Sequence, residues 1–277
     1  MEKNYYLLDG LHVGIESENV FKYGEDEILS SKETDICFFQ PWYKEGFTIM
    51  PLLNKKEHFA IKSSIERKVK EIIELKSISN EGFTLEKYHK YIRKEIDHQS
   101  IVKVTRDLFP EDFSFVSREL ISKIEKLINL SLTDIDPDSK KRTHIVLRIN
   151  RPQSRDFNPP HKDIYEAYDQ EKRLPKMINV WIPICGVTTK SSLALAAKSH
   201  LISENKIQRS FIGGQVNKKE YRVRNILNWN GENKLNRIDI QTGSVLLFTP
   251  HLIHGLAINN EEKITRVALE YRLYKKN

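Results

Sequence analysis

The chain is short of every feature that would take it out of the ordinary globular class. It has two cysteines in 277 residues, Cys37 in Ile-Cys-Phe-Phe and Cys185 in Ile-Pro-Ile-Cys-Gly, which is too few for a disulfide scaffold. No zinc-finger spacing is present, and the apolar contexts read as buried, reduced thiols. No apolar run approaches the ~20 residues that cross a bilayer. The N-terminal Met-Glu-Lys-Asn-Tyr-Tyr lacks the pattern of a secretory leader, so the cytoplasm is the expected compartment. There is no internal repeat, low-complexity tract or flexible linker. Charge of one sign is not concentrated either: the formal net charge is +7, yet stretches such as Glu-Arg-Lys-Val-Lys-Glu-Ile-Ile-Glu mix both signs, and no helix gathers cations on one face. A nucleic-acid partner is therefore not expected.

What remains is a soluble-type composition, 39% hydrophobic and 30% charged with a mean hydropathy of -0.52, and enough length for one large core. We expect a single domain over residues 1–277, with a helix-rich part over 1–142 and a β-rich core over 143–274. Residues 1–50 hold short apolar runs that read as strands. Residues 55–76 place Ile61, Ile65, Val69, Ile72 and Ile73 at helical spacing, 84–98 continue as a charged helix, and 113–130 align Val116, Leu120, Ile124, Leu127 and Ile128. The simplest use of such faces is to cover a sheet. Asp134 to Lys141 is a loop whose aspartates alternate as in calcium sites, but the glycine and final glutamate of that pattern are missing.

From Thr143 the period changes to two. His-Ile-Val-Leu-Arg-Ile-Asn and Met-Ile-Asn-Val-Trp-Ile-Pro-Ile read as strands, the second with Asn179 and Trp181 on one side. On the last strand Arg266, Ala268, Glu270 and Arg272 share one face, and Val267, Leu269, Tyr271 and Leu273 share the other. The segment from Ser203 to Trp229 is longer than a usual hairpin loop and reads as an insertion that carries specificity.

Chemistry enters with Asn-Pro-Pro-His-Lys-Asp. Residues two apart on a strand point the same way, so His161 and Asp163 can reach one ion while Lys162 turns away. A second histidine follows in His-Leu-Ile-His-Gly, and an arginine in Ile-Thr-Arg-Val-Ala-Leu-Glu. His161, Asp163 and His254 would occupy one face of a six-coordinate metal and leave three positions open, as in non-heme Fe(II) oxygenases. His251 is the rival distal ligand. The polar stretch Asn259 to Glu262 between two apolar runs predicts a hairpin with His254 and Arg266 as cross-strand neighbours. Arg272 then lies six residues, or roughly 20 Å, further along the strand. A basic group, Arg148, Arg151, Arg155 and Lys162, surrounds the first metal segment. Arg148, Arg151 and Lys162 are candidates to attract an anionic substrate, with surface solubility as the other reading.

These residues resemble the phytanoyl-CoA dioxygenase-like branch of the Fe(II)/2-oxoglutarate-dependent dioxygenases over residues 143–274. Ser-Ser-Leu-Ala-Leu-Ala-Ala-Lys-Ser-His is similar to a Pro-Gly-Ser-His turn of that family, except that Ala197 and Lys198 replace the proline and glycine. The resemblance implies a double-stranded β-helix of the cupin or jelly-roll kind. It also implies iron on His161, Asp163 and His254, and Arg266 holding the far carboxylate of 2-oxoglutarate. Asn179 and Trp181 would line the barrel beside the cosubstrate, although Trp181 equally suits core packing. With molecular oxygen the reaction would hydroxylate a C–H bond of a small polar or anionic metabolite and release succinate and carbon dioxide. Related halogenases carry a small residue in place of Asp163. A cupin-like isomerase or hydrolase, or a non-catalytic metal-binding barrel, accounts for the metal ligands but not for Arg266.

Overall fold

A computed structural model describes residues 2–217 and 219–276. In chain order the elements are β1 (Glu2–Leu8), β2 (Leu11–Ser17), β3 (Lys22–Tyr23), β4 (Phe47–Pro51), α1 (Lys55–Glu74), α2 (Tyr88–Tyr91), α3 (Glu95–Thr105) and α4 (Ser117–Ile128). There follow β5 (Leu132–Thr133), β6 (Val146–Asn150), α5 (Tyr165–Glu171), β7 (Met177–Cys185), β8 (Ala194–Leu195), β9 (Ile207–Arg209) and β10 (Gly214–Val216). The last six strands are β11 (Lys219–Tyr221), β12 (Ile226–Trp229), β13 (Lys234–Arg237), β14 (Ser244–Phe248), β15 (His254–Gly255) and β16 (Arg266–Lys275). One sheet runs β11-β10-β2-β1-β13-β8-β15, and the opposing one runs β4-β14-β7-β16-β5 with β6 also on β16. Together they form the expected double-stranded β-helix. A small third sheet, β12-β9-β3, lies beside them.

The second sheet is two-faced because its strands alternate. Ile178, Val180 and Ile182 of β7, Val245 and Leu247 of β14, Leu147 and Ile149 of β6, and Val267, Leu269, Tyr271 and Leu273 of β16 all enter one core. That core is closed from outside by Ile61, Ile65, Val69, Ile72 and Ile73 of α1 and by Leu120, Ile121, Ile124 and Ile128 of α4. The opposite face of the same strands carries Asn179, Trp181, Arg148, Arg266, Glu270 and Arg272. Period two thus divides packing residues from site residues. Ile65 is fully buried, and truncating it to alanine would cost roughly 2–5 kcal/mol by transfer and cavity terms. α1 starts where expected because Asn54 and Glu57 form a reciprocal capping box, with both bonds at 3.0 Å.

Three expectations are corrected. The helix predicted over 84–98 is broken after Tyr91, and α3 restarts at Glu95. Tyr88, Ile92, His98 and Ile101 are all buried, and the six residues from Ile92 to His98 would rotate a continuous helix by about 240° at 100° per residue. The break resets the phase so that both segments face inward. Next, α4 begins at Ser117, so Val116 is its exposed N-cap rather than part of the buried stripe. The segment 203–229 is not a plain loop: it folds into β9–β12, whose strands of three or four residues are too short to give a clear alternating pattern. The first residues also do more than precede a core, since β1 and β2 lie in one barrel sheet and β4 in the other.

At the departure from the Pro-Gly-Ser-His pattern, Lys198 adopts φ +66°, the left-handed conformation that glycine takes freely. The backbone of the turn is kept although the residue is not glycine. Behind it lies a buried polar cluster in which His200 and His251 are almost inaccessible, and among the described residues neither ring has a hydrogen-bond partner. Burial pushes both imidazoles down to about 4, against the opposing pull of Asp35.

Two stability predictions follow from this region. Lys198→Gly should raise the unfolding free energy by about 1 kcal/mol, read from the urea midpoint, because it relieves a left-handed non-glycine residue. An unchanged or lower midpoint would count against strain at this turn. Between the unfolded histidine value near 6.5 and about 4, the unfolded chain binds more protons than the folded one. Stability should therefore fall as pH falls through that window, and His251→Gln should flatten the slope in urea titrations at stepped pH.

Candidate metal centre

The centre is assembled by a backbone contact. His161 and His254 form an antiparallel bridge, His161 N donating to His254 O at 2.9 Å and His254 N to His161 O at 3.0 Å. The amide of Asp163 donates to Pro250 O at 3.1 Å. These bonds fix the His-x-Asp segment beside β15, with the two rings 4.3 Å apart between centroids. Gly255 makes the approach possible: at φ +150°, a Cβ there would stand 2.7 Å from Pro159 O and 2.9 Å from Pro160 Cα. The Pro-Pro segment that presents His161 could not otherwise lie so close.

Both imidazoles are turned by their Nδ1 atoms. The Nδ1 of His161 lies 2.7 Å from Pro159 O, and that of His254 lies 3.1 Å from Leu252 O. A carbonyl can only accept, so each Nδ1 carries the proton and each Nε2 offers a lone pair. The Nε2 atoms stand 3.7 Å and 3.6 Å from the two oxygens of Asp163. One donor atom from each of the three residues lies within 4.8 Å of the others. These separations exceed a hydrogen bond and match donors that each sit ~2.1 Å from a shared ion. Burial pushes His161 down to about 3, with the His254 charge acting the same way, so it is a neutral ligand at neutral pH.

Asp163 is the best-held member. Burial alone would raise its carboxyl, but Arg272 and the two histidines outweigh that and hold it well below the usual carboxylate range. Asn179 Nδ2 donates to Oδ2 at 2.7 Å, and Arg272 Nη2 to Oδ1 at 2.7 Å. The distance expected for Arg272 is therefore corrected: it touches the ligand set directly. Its reach along the curved strand and its own side-chain length were both left out of the linear spacing.

The expected hairpin is corrected as well. His254 lies on β15 in one sheet, whereas Arg266 opens β16 in the other, where it pairs with Asn150 of β6. The chain crosses between sheets instead of reversing within one. Arg266 nonetheless lines the same cavity as His161 and His254, a space of about 800 Å³. Arg266 is 2% exposed, Nη2 donates to Asn150 Oδ1, and among the described residues neither Nε nor Nη1 has a partner. Burial pushes it down to about 10, partly offset by Glu270. An arginine remains charged there, so the cavity wall holds an incompletely paired cation.

The remaining predicted residues divide. Trp181 is buried with its indole nitrogen unpartnered, and its ring centre is 5.8 Å from the Arg266 guanidinium carbon. Arg148 lines the cavity. Arg151 does not: it is locked to Asp156 at 2.9 Å and to Glu95. Lys162 is also corrected, because its buried ammonium pairs with Glu204 at 2.8 Å on the far side of the segment. The strand expected over His161–Asp163 is corrected too: His161 forms an isolated bridge and Asp163 begins a turn, although Lys162 still points away from the other two. His251 faces the polar cluster around Asp35 and is not in the ligand set. Sequence reasoning missed Asn150, whose only signal was its place two residues after Arg148 on the inward face of β6.

Among solved structures, the chain is similar to the non-heme alpha ketoglutarate dependent carbocyclase SnoK from nogalamycin biosynthesis, at 13% identity and a TM-score of 0.48 over 91% of this chain and 87% of that one. It is similar to EctD from S. alaskensis, solved with 2-oxoglutarate and 5-hydroxyectoine, at 12% identity and a TM-score of 0.47 over 94% and 83%. AviO1 from Streptomyces viridochromogenes Tue57 gives 12% identity and a TM-score of 0.47 over 84% and 90%. Likenesses this distant transfer no activity. No curated protein matches the chain at a significant level. The family model described as Phytanoyl-CoA dioxygenase (PhyH) matches residues 53–267, which reaches back across the helices as well as the barrel. With that match over most of its length, the chain belongs to the phytanoyl-CoA dioxygenase (PhyH) family of Fe(II)/2-oxoglutarate-dependent dioxygenases.

Proposed function

We propose that the chain hydroxylates a C–H bond of a small polar metabolite, with Fe(II), 2-oxoglutarate and molecular oxygen, and with release of succinate and carbon dioxide. The observation that carries this reading is the buried Arg266 guanidinium with two unpartnered nitrogens in the cavity of the ligand set. A dicarboxylate would supply the missing acceptors. A metal-dependent isomerase, hydrolase or inert barrel would leave that cation uncompensated.

His161, Asp163 and His254 would hold the ion, which when bound supplies oxygen activation coupled to decarboxylation of the keto acid. The chain's own contribution is placement. Asn179 and Arg272 orient the Asp163 carboxylate, while Pro159 O and Leu252 O set the histidine tautomers. Asn150 steers Arg266, and is itself held by donating to Ala257 O at 3.2 Å. The apolar wall of Trp181, Phe248 and Leu195 keeps water from the back of the site. Presence of the Asp163 carboxylate favours hydroxylation over halogenation, because no ligand position is left for a halide in its place.

Replacing His161, Asp163 or His254 by alanine should remove most of the affinity for Fe(II) or Ni(II) measured by calorimetry, whereas His251→Ala should retain it. Asn179→Ala should weaken metal binding by roughly tenfold through loss of carboxylate orientation. Retention of full affinity in His254→Ala would discard this ligand set.

Adding 2-oxoglutarate to the anaerobic Fe(II) protein should produce a metal-to-ligand absorption band. Arg266→Lys should weaken that titration by about tenfold although charge is kept, because the forked contact is lost. Iron binding should be unchanged. If no band forms and no succinate is released under oxygen, the dioxygenase reading is wrong.

A further inference from the structure

A second cationic group lies in the same cavity and is not used by the ligand set or by Arg266. Arg148 projects inward from β6 opposite Ala268 of β16, with its Nε donating to Glu270 Oε2 at 2.8 Å. Its side chain is only 19% exposed. That bond uses Nε alone, and among the described residues neither terminal nitrogen has a partner. The fork is held in place yet open to the cavity. Arg106, one residue beyond α3, is exposed and lines the same space as Arg148 and Glu270. It makes no ion pair or side-chain hydrogen bond among the described residues.

Two guanidinium groups therefore line one cavity, and among the described residues the Glu270 carboxylate there bonds only Arg148. The excess positive charge is not met by 2-oxoglutarate, whose far carboxylate is assigned to Arg266. Arg148, His161, His254 and Arg266 line the same cavity, which puts this wall beside the candidate metal ligands. An arginine serving solubility would extend into water, whereas Arg148 is tethered and mostly enclosed. Arg106 is exposed while Arg148 is mostly enclosed, and an oxyanion seated between the two would offset their mutual repulsion.

We propose that Arg148 and Arg106 form a second anion subsite, with Glu270 orienting Arg148, that receives a carboxylate or phosphate group of the substrate. The substrate is then a small anionic molecule. This rests on the dioxygenase reading above for the nature of the reaction, but not for the location of the subsite. Glu270 is a positioning residue: its loss would free the Arg148 side chain without removing a contact to the anion.

The test is calorimetric titration of inorganic phosphate, and separately of acetate, into the Ni(II)-loaded full chain at constant ionic strength, with and without saturating 2-oxoglutarate. Saturable uptake of at least one anion is expected with 2-oxoglutarate present, and the stronger of the two identifies the group. Arg148→Met and Arg106→Met should each weaken it at least tenfold, while 2-oxoglutarate affinity stays within about twofold. Arg148→Lys should recover part of the affinity, and Glu270→Gln should fall between wild type and Arg148→Met. Melting curves identify any variant that does not fold, and the lysine variant then stands in for the methionine one. No saturable uptake of either anion, or equal affinity in wild type and the folded Arg148 variants, overturns the proposal. Failure of 2-oxoglutarate to bind sinks the dioxygenase reading instead. In that case the titration without cosubstrate, with Arg266→Lys as comparison, still decides whether the anion sits at Arg148.

Discussion

The reciprocal pair of backbone hydrogen bonds between His161 and His254 is the contact on which the site depends. It joins segments more than ninety residues apart in the chain and sets both imidazoles at the same height on the sheet. Everything else at the centre adjusts orientation around that fixed point. The Nδ1 carbonyl contacts choose the tautomers, and the amide of Asp163 on Pro250 O carries the same segment two residues further. Gly255 permits the pair because a side chain there would collide with the Pro159 carbonyl.

Electrostatics around this point is unusually asymmetric for a buried space. Asp163 is satisfied twice over by Asn179 and Arg272 and stays ionised. Among the described residues Arg266 is satisfied only once, by Asn150. A folded chain tolerates a partly unpaired buried cation when the ligand that completes it is normally present, since binding then contributes to stability by linkage. Lys162 shows the opposite solution on the other side of the same segment, where Glu204 completes it within the protein. Neighbours in sequence, Lys162 and Asp163 belong to different electrostatic systems: Lys162 pairs with Glu204, and Asp163 with Asn179 and Arg272.

Alternation along the strands explains how one sheet serves two purposes. The outward residues of β6, β7, β14 and β16 meet α1 and α4 in a single apolar core. Their inward neighbours supply arginines, asparagine and glutamate to the cavity. The rigid, helix-backed sheet is what allows polar groups to be held in fixed places on its other face. The small strands β10 and β11 bring Tyr221 and Arg222 to the cavity from the opposing sheet.

The sequence alone determined the helix over α1 and the alternating faces of β7 and β16, which rest on local periodicity, while the barrel class came through the family resemblance. It also named His161, Asp163 and His254, which the structure brings together. Cross-sheet relations could not be obtained that way. Whether the chain reverses or crosses after Asn260 depends on pairing with β6 and β8, so the hairpin from β15 to β16 was a wrong inference from a right pair of strands. Arg272 could not be placed because strand curvature and a seven-atom side chain are absent from a residue count. Arg151 and Lys162 looked alike as cations near the motif, and only the positions of Asp156 and Glu204 removed them from the cavity. Periodicity assigns a residue to a face, but burial and partners, which decide what a charge can do there, come from chain segments distant in sequence.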